Sequence, residues 1–551
     1  MRNIFFLILS CFCLLSVHAQ NETSKDHISL AGIWNFKLDP LNISIPVKGS
    51  NFVSRFPEEI TLPGSTDQAG KGFKTQDMSS LRLTRMFEYS GAAWYEKENI
   101  FIPESWKDQQ LFLFLERVHW ESQVWVNGKF VGKEESLSTP HLYDITSYVK
   151  FGDWNTVRIR VDNGNIHDIA YTHAISAETQ TNWNGIIGRM EIQAVSKVHI
   201  ADVQIYPLQK EKRLKIVAQI VNYSNLPVKG DIRINCHFLN DSQDLHLKEK
   251  NTTFNSSDSL IHLVHYYDLG DKLYTWDEFE PNLYEIDYEI KCCGKSDVRK
   301  IKFGIRDFGT KGTHFTINDI PTFIRGAVNS CEFPITGYPP MGYEEWKKVM
   351  KVYKDYGLNC IRFHSWCPPE SAFQVADELG LYLQVENSDW RFTVGEDEAT
   401  NAFYLDEVQR IFKEYGNHPS FAFFCEGNEL VGKDCVNFLK EMLTEWKKDS
   451  RHLYVAASGY PTVEGSDFFD FYGARPQRWQ EGLKGRFNSQ PLNTRYDYID
   501  YVKKFSIPMV THEIGQWCAY PDFNQISKYI GVLKPYNYEL FREDLRNKKM
   551  L

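Results

Sequence analysis

The 551-residue sequence has no excess of positive charge. Lys and Arg number 62 against 72 Asp and Glu, for a formal net charge of −10. No block of basic residues stands out, which argues against nucleic acid as the main ligand. Long apolar runs are missing after Val17. No later segment therefore offers the ~20 apolar residues that a membrane-spanning helix needs. Neither a CxxC pair nor an HExxH helix occurs. The common zinc signatures are thus absent, and no metal or cofactor is implied. Two of the 11 cysteines, Cys11 and Cys13, fall in the N-terminal apolar run; the rest are odd in number and scattered. In a chain this long they do not read as a disulfide framework. Cys292-Cys293, a vicinal pair at the end of a strand-like run, reads as structural.

What is present is a globular composition, 42% hydrophobic and 24% charged, with 15% aromatics. The length suggests about three domains of roughly 100–200 residues. Dense aromatics fit large β-rich cores or sugar-stacking surfaces, and composition does not separate the two. The N-terminus, with Arg2, an apolar run from Ile4 to Val17 and a small residue at Ala19, reads as a secretory signal over 1–19 cleaved after Ala19. Cys11 lies too early in that run for a lipoprotein cleavage box. The expectation is a secreted or periplasmic protein.

Three stretches follow. Residues 20–198 are strand-like. Asn127-Gly128 sits between two alternating runs, the signature of a hairpin with a type I′ turn. Val157, Ile159 and Val161 alternate with Arg158 and Arg160, which predicts a half-buried strand. A jelly-roll β-sandwich is expected here. Residues 199–303 alternate cleanly, with Leu214, Ile216, Ala218 and Ile220 on one face, and predict an immunoglobulin-like sandwich. From 304 to 551 the period changes. Trp346, Val349, Met350 and Tyr353 fall at helical spacing before Gly357; so do Leu405, Val408 and Phe412, and Cys435, Leu439, Met442 and Trp446. Between the helices, 322–327, 358–364, 381–387, 421–426, 453–458, 469–473 and 508–513 read as strands. Such alternation predicts a (β/α)8 TIM barrel. The sequence after Glu513 reads as one connection and one helix, so the barrel is expected to lack its last βα unit.

Catalytic groups in such barrels sit at the C-terminal ends of strands. Glu429 follows the fourth strand and Glu513 the seventh. Those strands face each other across the mouth, so both carboxyls can share one pocket. Glycoside hydrolysis needs such a pair, although acidic strand ends also bind metals or form salt bridges.

The whole chain resembles glycoside hydrolase family 2, the β-galactosidase, β-glucuronidase and β-mannosidase group. The resemblance rests on Ala93-Trp-Tyr95, Val124-Trp-Val-Asn-Gly-Lys-Phe-Val-Gly132, Trp183-Asn-Gly-Ile-Ile-Gly-Arg189, Trp276 with Pro281-Asn-Leu-Tyr284, and Phe303-Gly-Ile-Arg306. Its most specific part is Asn417-His-Pro-Ser420 leading to Gly427-Asn-Glu429. It implies Glu429 as acid/base, Glu513 as nucleophile, and Asn428 as a donor to the sugar 2-hydroxyl. Arg362 and His364 are implied to line the sugar subsite, although the spacing departs from the commoner Arg-x-Ser-His. Trp366 and Trp517 are candidate stacking platforms. Glu386 and Glu426 lie at strand ends too, and Glu426 reads as support. The implied activity is retaining hydrolysis of terminal β-glycosidic bonds in oligo- or polysaccharides, galactosides first, without a cofactor; a homo-oligomer is left open. The rival readings are a β-mannosidase or β-glucuronidase of the same fold, or a catalytically impaired carbohydrate-binding remnant.

Overall fold

The structure is a computed structural model that describes residues 26–43, 56–75, 78–240, 245, 247–471, 499–514 and 520–551. The expected leader, 1–19, lies outside the described residues. The chain forms a multidomain, β-rich fold.

The first unit is two facing antiparallel sheets. One holds Asp26–Ser29, Gly185–Ser196, Gln109–His119 and His141–Asp144; the other runs from Lys129–Glu135 through Glu121–Val126, Asp153–Asp162, Ala92–Ile102 and Gly32–Asp39 to Glu58–Leu62. Period-2 side chains from both sheets, among them Trp34, Leu113, Leu115, Val124 and Ile159, meet in one core. Burying each such side chain contributes roughly 1.5–3 kcal/mol. Asn127 and Gly128 have φ of 51° and 79°, which fits the expected type I′ turn. Arg160 departs from the expected half-buried strand. It is buried on the far face, where it donates to Glu121 (3.2 Å) and Asp162 (2.6 Å). A loop covers that face, so alternation of Val with Arg did not mean alternation of core with solvent.

The second unit is a smaller sandwich. Val198–Leu208, Arg213–Asn222 and Leu260–Asp268 face the four strands Lys250–Ser256, Val228–Phe238, Tyr284–Cys292 and Lys295–Phe303. Leu214, Ile216, Ala218 and Ile220 are all fully buried between them. Trp276 anchors this unit to the next, donating through Nε1 to the Asp377 carbonyl (2.8 Å).

In the third unit, strands alternate with helices. Gly326–Asn329, Cys360–Phe363, Tyr382–Asp389, Phe421–Gly427 and Leu453–Tyr454 form one parallel sheet. Ser458–Gly459, Phe469–Phe471 and Met509–Thr511 form a second, and an Asn428–Ser458 bridge links the two. The expected strand 322–327 is split. Ile320–Thr322 pairs antiparallel with His314–Ile317, and the parallel strand starts only at Gly326. Trp346 and Met350 of helix Tyr343–Asp355 are buried as the spacing predicted. On helix Glu398–Tyr415 the buried stripe is Phe403, Tyr404, Val408, Ile411 and Phe412, whereas Leu405 is exposed. Loop residues of the first unit pack on Phe403 and Tyr404 and widen the covered face. Among the described residues, no strand pairs the outer edges of Gly326–Asn329 and Met509–Thr511. The last strand, Leu533–Lys534, pairs instead with Thr84–Arg85 of the first unit. No described helix is long and apolar enough to cross a membrane.

Candidate active site

Parallel strands all point one way, so their C-terminal ends share one rim. Arg362, Glu386, Asn428, Glu429, Ser458, Asp470, His512 and Glu513 meet there. Arg362, Asn428, Glu429, Asp470, His512 and Glu513 line a cavity of about 1370 Å³ together with His364.

Arg362 organises the floor. Its Nε donates to Glu386 Oε1 (2.5 Å), Nη1 to Glu513 Oε1 (3.1 Å) and Nη2 to Asn428 Oδ1 (2.7 Å). One rigid guanidinium fork thus fixes three side chains from three strands. The carbonyl side of the Asn428 amide is spent on Arg362, so its NH2 donors remain for a ligand. Glu386 is fully buried and also accepts from the Ser365 N–H (2.6 Å). Burial pushes its carboxyl up, but Arg362 outweighs that and holds it below the usual range.

Glu429 and Glu513 stand together. His512 Nε2 lies 3.7 Å from Glu429 Oε1 and 3.4 Å from Glu513 Oε1. Sharing one neighbour places the two carboxyls in the same part of the pocket, as a pair acting on one glycosidic bond requires. Both residues adopt left-handed backbone, with φ of 47° and 48°. Non-glycine residues rarely do so outside sites that need it. Gly459 leaves the room between them. A Cβ there would sit 3.1 Å from Glu429 Cγ and 3.1 Å from His512 Nε2, at a φ of +82°.

The charge state of Glu513 follows from its neighbours. Burial pushes its carboxyl up, but a hydrogen bond from His364 and the nearby charges of His512 and Arg362 hold it far below the usual range. His364 Nε2 is 3.3 Å from Glu513 Oε1, and its Nδ1 is 3.0 Å from Nδ1 of His173. Burial lowers both imidazoles, so both are neutral at pH 7. With Nε2–H of His364 given to Glu513, its Nδ1 is an acceptor, within reach of Nδ1 of His173 (3.0 Å) and of the Ser365 hydroxyl (3.1 Å).

Asp470 supports the other imidazole. Burial pushes its carboxyl up, but His512 at 3.4 Å, Arg362 at 4.0 Å and a hydrogen bond from the Ser458 hydroxyl (2.7 Å) bring it down to about 2. The sign follows. A carboxyl held below its unfolded value adds stability above that value and loses it as pH falls through the folded one. The stability gap between wild type and Asp470→Asn is therefore expected to narrow as pH falls from about 4 to about 2. Denaturant titrations across that range check it; a gap that does not change with pH would refute the pairing.

The structure brings together Arg362, His364, Asn428, Glu429 and Glu513. It places Trp366 elsewhere. That ring is 2% exposed in the core against Phe363, Trp346 and Phe333, and its Nε1 donates to the Asn329 carbonyl (2.9 Å). Its faces are closed to a sugar, because the chain turns at Ser365 (φ 50°) and folds the ring beneath the strand ends. Trp517 lies outside the described residues. Glu426 points into the interior beside Asp389 and Asn387, and burial with Asp389 drives its carboxyl well up, so it is neutral support. Cys360, Cys367 and Cys425 are buried thiols pushed up by burial, unsuited to nucleophilic work. Sequence reasoning missed Ser458, Asp470 and the role of His512. Asp470 did carry a signal: an acid between two phenylalanines of a strand points opposite to them. His173 and Trp390 carried none. Among the described residues no group of three or more His, Cys, Asp or Glu side chains could hold a metal ion.

The chain resembles known proteins in sequence and in fold. Residues 28–189 match the sugar binding domain of glycosyl hydrolases family 2, and 198–306 match a second domain of glycosyl hydrolases family 2. A β-galactosidase of Priestia megaterium is 27% identical over 378 residues, covering 64% of this chain and 35% of that one. A β-glucuronidase of Bacteroides uniformis superimposes with a TM-score of 0.66 at 18% identity, covering 79% of this chain and 53% of that one. A family 2 member from Bacteroides cellulosilyticus gives 0.63 at 16% identity, covering 80% and 58%. The chain spans about a third to somewhat over half the length of these relatives. Two adjacent matches to one family identify residues 28–306 of this chain as domains of glycosyl hydrolases family 2.

Proposed function

We propose that this chain carries the machinery of a retaining β-glycosidase that removes terminal sugars from oligo- or polysaccharides, with its third unit built as a β/α barrel. The observation that carries the reading is the pair Glu429 and Glu513 on either side of His512, with Glu513 held ionised.

In the first step Glu513 attacks the anomeric carbon while Glu429 gives its proton to the glycosidic oxygen. The bond to that oxygen breaks, the alcohol leaves, and a glycosyl ester forms on Glu513. Glu429, now a carboxylate, takes a proton from water as the water attacks the anomeric carbon. The sugar leaves with retained configuration, and Glu513 is ionised again. Arg362 and His364 stabilise the Glu513 carboxylate before attack and after release. The NH2 group of Asn428 is placed to strengthen its hydrogen bond to a sugar hydroxyl as charge builds.

A neutral sugar, galactose first, fits best among the described residues. Three of the five Arg362 N–H donors already serve Glu386, Glu513 and Asn428, and its charge is balanced by the site's own carboxylates rather than held for a uronate. Residues 472–498 contain Arg475, Arg478, Lys484, Arg486 and Arg495 outside the described residues, so a substrate panel includes glucuronides. The impaired-remnant reading is not favoured, because the carboxylate pair has a full set of positioning partners. Export through segment 1–19 remains part of the proposal; an N-terminus beginning at Gln20 in secreted protein would support it.

Glu429→Gln tests the acid/base role. With alkyl aglycones, which need a proton to leave, the rate is expected to fall by about 10²–10⁴-fold. With dinitrophenyl aglycones the first step survives, and azide, which needs no base, restores turnover as a β-glycosyl azide. Equal losses with both aglycones and no azide rescue would remove Glu429 from that role.

A further inference from the structure

The aromatic content has a local concentration that the carboxylate chemistry does not use. Segment 164–182 leaves the first unit and reaches the barrel mouth. It is pinned by Thr172 Oγ1 to the Ser365 carbonyl (2.6 Å), the His173 N–H to Ser365 Oγ (2.9 Å), and Thr393 Oγ1 to Asp168 Oδ2 (2.9 Å). A bridge joins Ala170 to Trp390. Five rings lead outward from Glu513. His364 packs on Trp390 at 4.8 Å, and His173 stacks on Trp390 at 5.9 Å and 16°. Tyr171 meets Trp390 edge-on at 6.1 Å and Phe392 at 5.9 Å. His173 and Trp390 line the same cavity as the carboxylates. At the outer end, Tyr171 and Phe392 are 46% and 47% exposed.

The side of the mouth is also fixed. Val431 N–H donates to the Arg391 carbonyl (3.3 Å), and Val394 N–H to the Val431 carbonyl (3.0 Å). Phe392 therefore stands on a segment hydrogen-bonded to the chain just after Glu429, the proton donor to the leaving oxygen. Exposed aromatic faces beside polar groups suit the C–H face of a pyranose ring.

We propose that Tyr171, Trp390 and Phe392 form a subsite for the leaving-group sugar, built jointly by the first and third units. It selects oligosaccharides over simple glycosides. This rests on the β-glycosidase reading, and two measurements separate the failures.

The first compares β-galactosyl fluoride with lactose, and β-glucosyl fluoride with cellobiose, in wild type and Tyr171→Ala/Phe392→Ala. Fluoride carries no ring for the subsite. The kcat/KM for the disaccharide is expected to fall by roughly 3- to 10-fold per ring removed, with fluoride turnover unchanged. Tyr171→Phe and Phe392→Tyr keep a ring and are expected to stay near wild type. Equal losses on fluoride and disaccharide, or no loss on either, would overturn the subsite. The second titrates intrinsic Trp fluorescence with the same disaccharides. Saturable binding that the double variant loses supports the subsite even if wild type fails to hydrolyse the fluorides, a result that sinks only the catalytic reading. Binding that survives in the double variant overturns the subsite.

Discussion

Glu513→Gln is expected to hydrolyse aryl β-glycosides slower than wild type by on the order of 10⁴-fold or more, with dinitrophenyl and alkyl aglycones affected alike. An amide cannot form the glycosyl ester, so the loss falls on the step common to every substrate. The fold should survive. Gln keeps the shape and can still accept from Arg362 Nη1 and His364 Nε2 through its carbonyl oxygen. A thermal midpoint within a few degrees of wild type is therefore expected beside the lost activity. Turnover close to wild type would end the assignment of Glu513. A collapse in stability would instead mean that its charge holds the rim together.

Arg362→Met is expected to lose both activity and stability. Arg362 is buried against the fully buried Glu386 and within 4.0 Å of Asp470. Removing the cation leaves carboxylates uncompensated in a dry interior, a change that costs about 3–5 kcal/mol. Those carboxyls would then take up protons more readily, so the penalty should be smaller at pH 5 than at pH 8. Arg362→Lys keeps the charge but loses the fork that reaches three partners, and should recover stability more than activity. Arg362→Met/Glu386→Leu removes the nearest orphaned charge with its partner. It is expected to regain part of the stability and none of the rate. Unfolding curves at two pH values read the first effect, and kcat reads the second. An Arg362→Met protein as stable as wild type would show that the rim does not depend on this ion cluster.

The residues at strand ends were legible in the sequence because parallel strands of even spacing deliver their last side chains to one edge. Glu429, Glu513, Asn428 and Arg362 follow from that rule plus the family resemblance. What the rule did not carry was the direction of side chains once the strand ends. Trp366 lies only four residues after Arg362, yet the left-handed turn at Ser365 sends it into the core. Leu405 matched the helical period of its neighbours, but the covered stripe shifted because another domain packs on Phe403 and Tyr404. Arg160 looked solvent-facing, but a loop brings Asn42 to a guanidinium that Asp162 of the same strand already holds. His173 was beyond any local pattern. It meets His364 across 191 positions, through a loop whose path only the assembled domains define.

A retaining reaction passes through a covalent sugar ester on Glu513, formed with help from Glu429, and that ester can be trapped. The protein is incubated with a set of 2-deoxy-2-fluoro β-glycosyl fluorides of galacto, gluco, manno and glucurono configuration, digested, and mapped by mass spectrometry. One stoichiometric adduct is expected, on the peptide containing Glu513, with the galacto reagent acting fastest and Glu513→Gln unlabelled. An adduct on Glu386 or Glu429, or turnover of a glycoside with inverted configuration and no adduct, would contradict it.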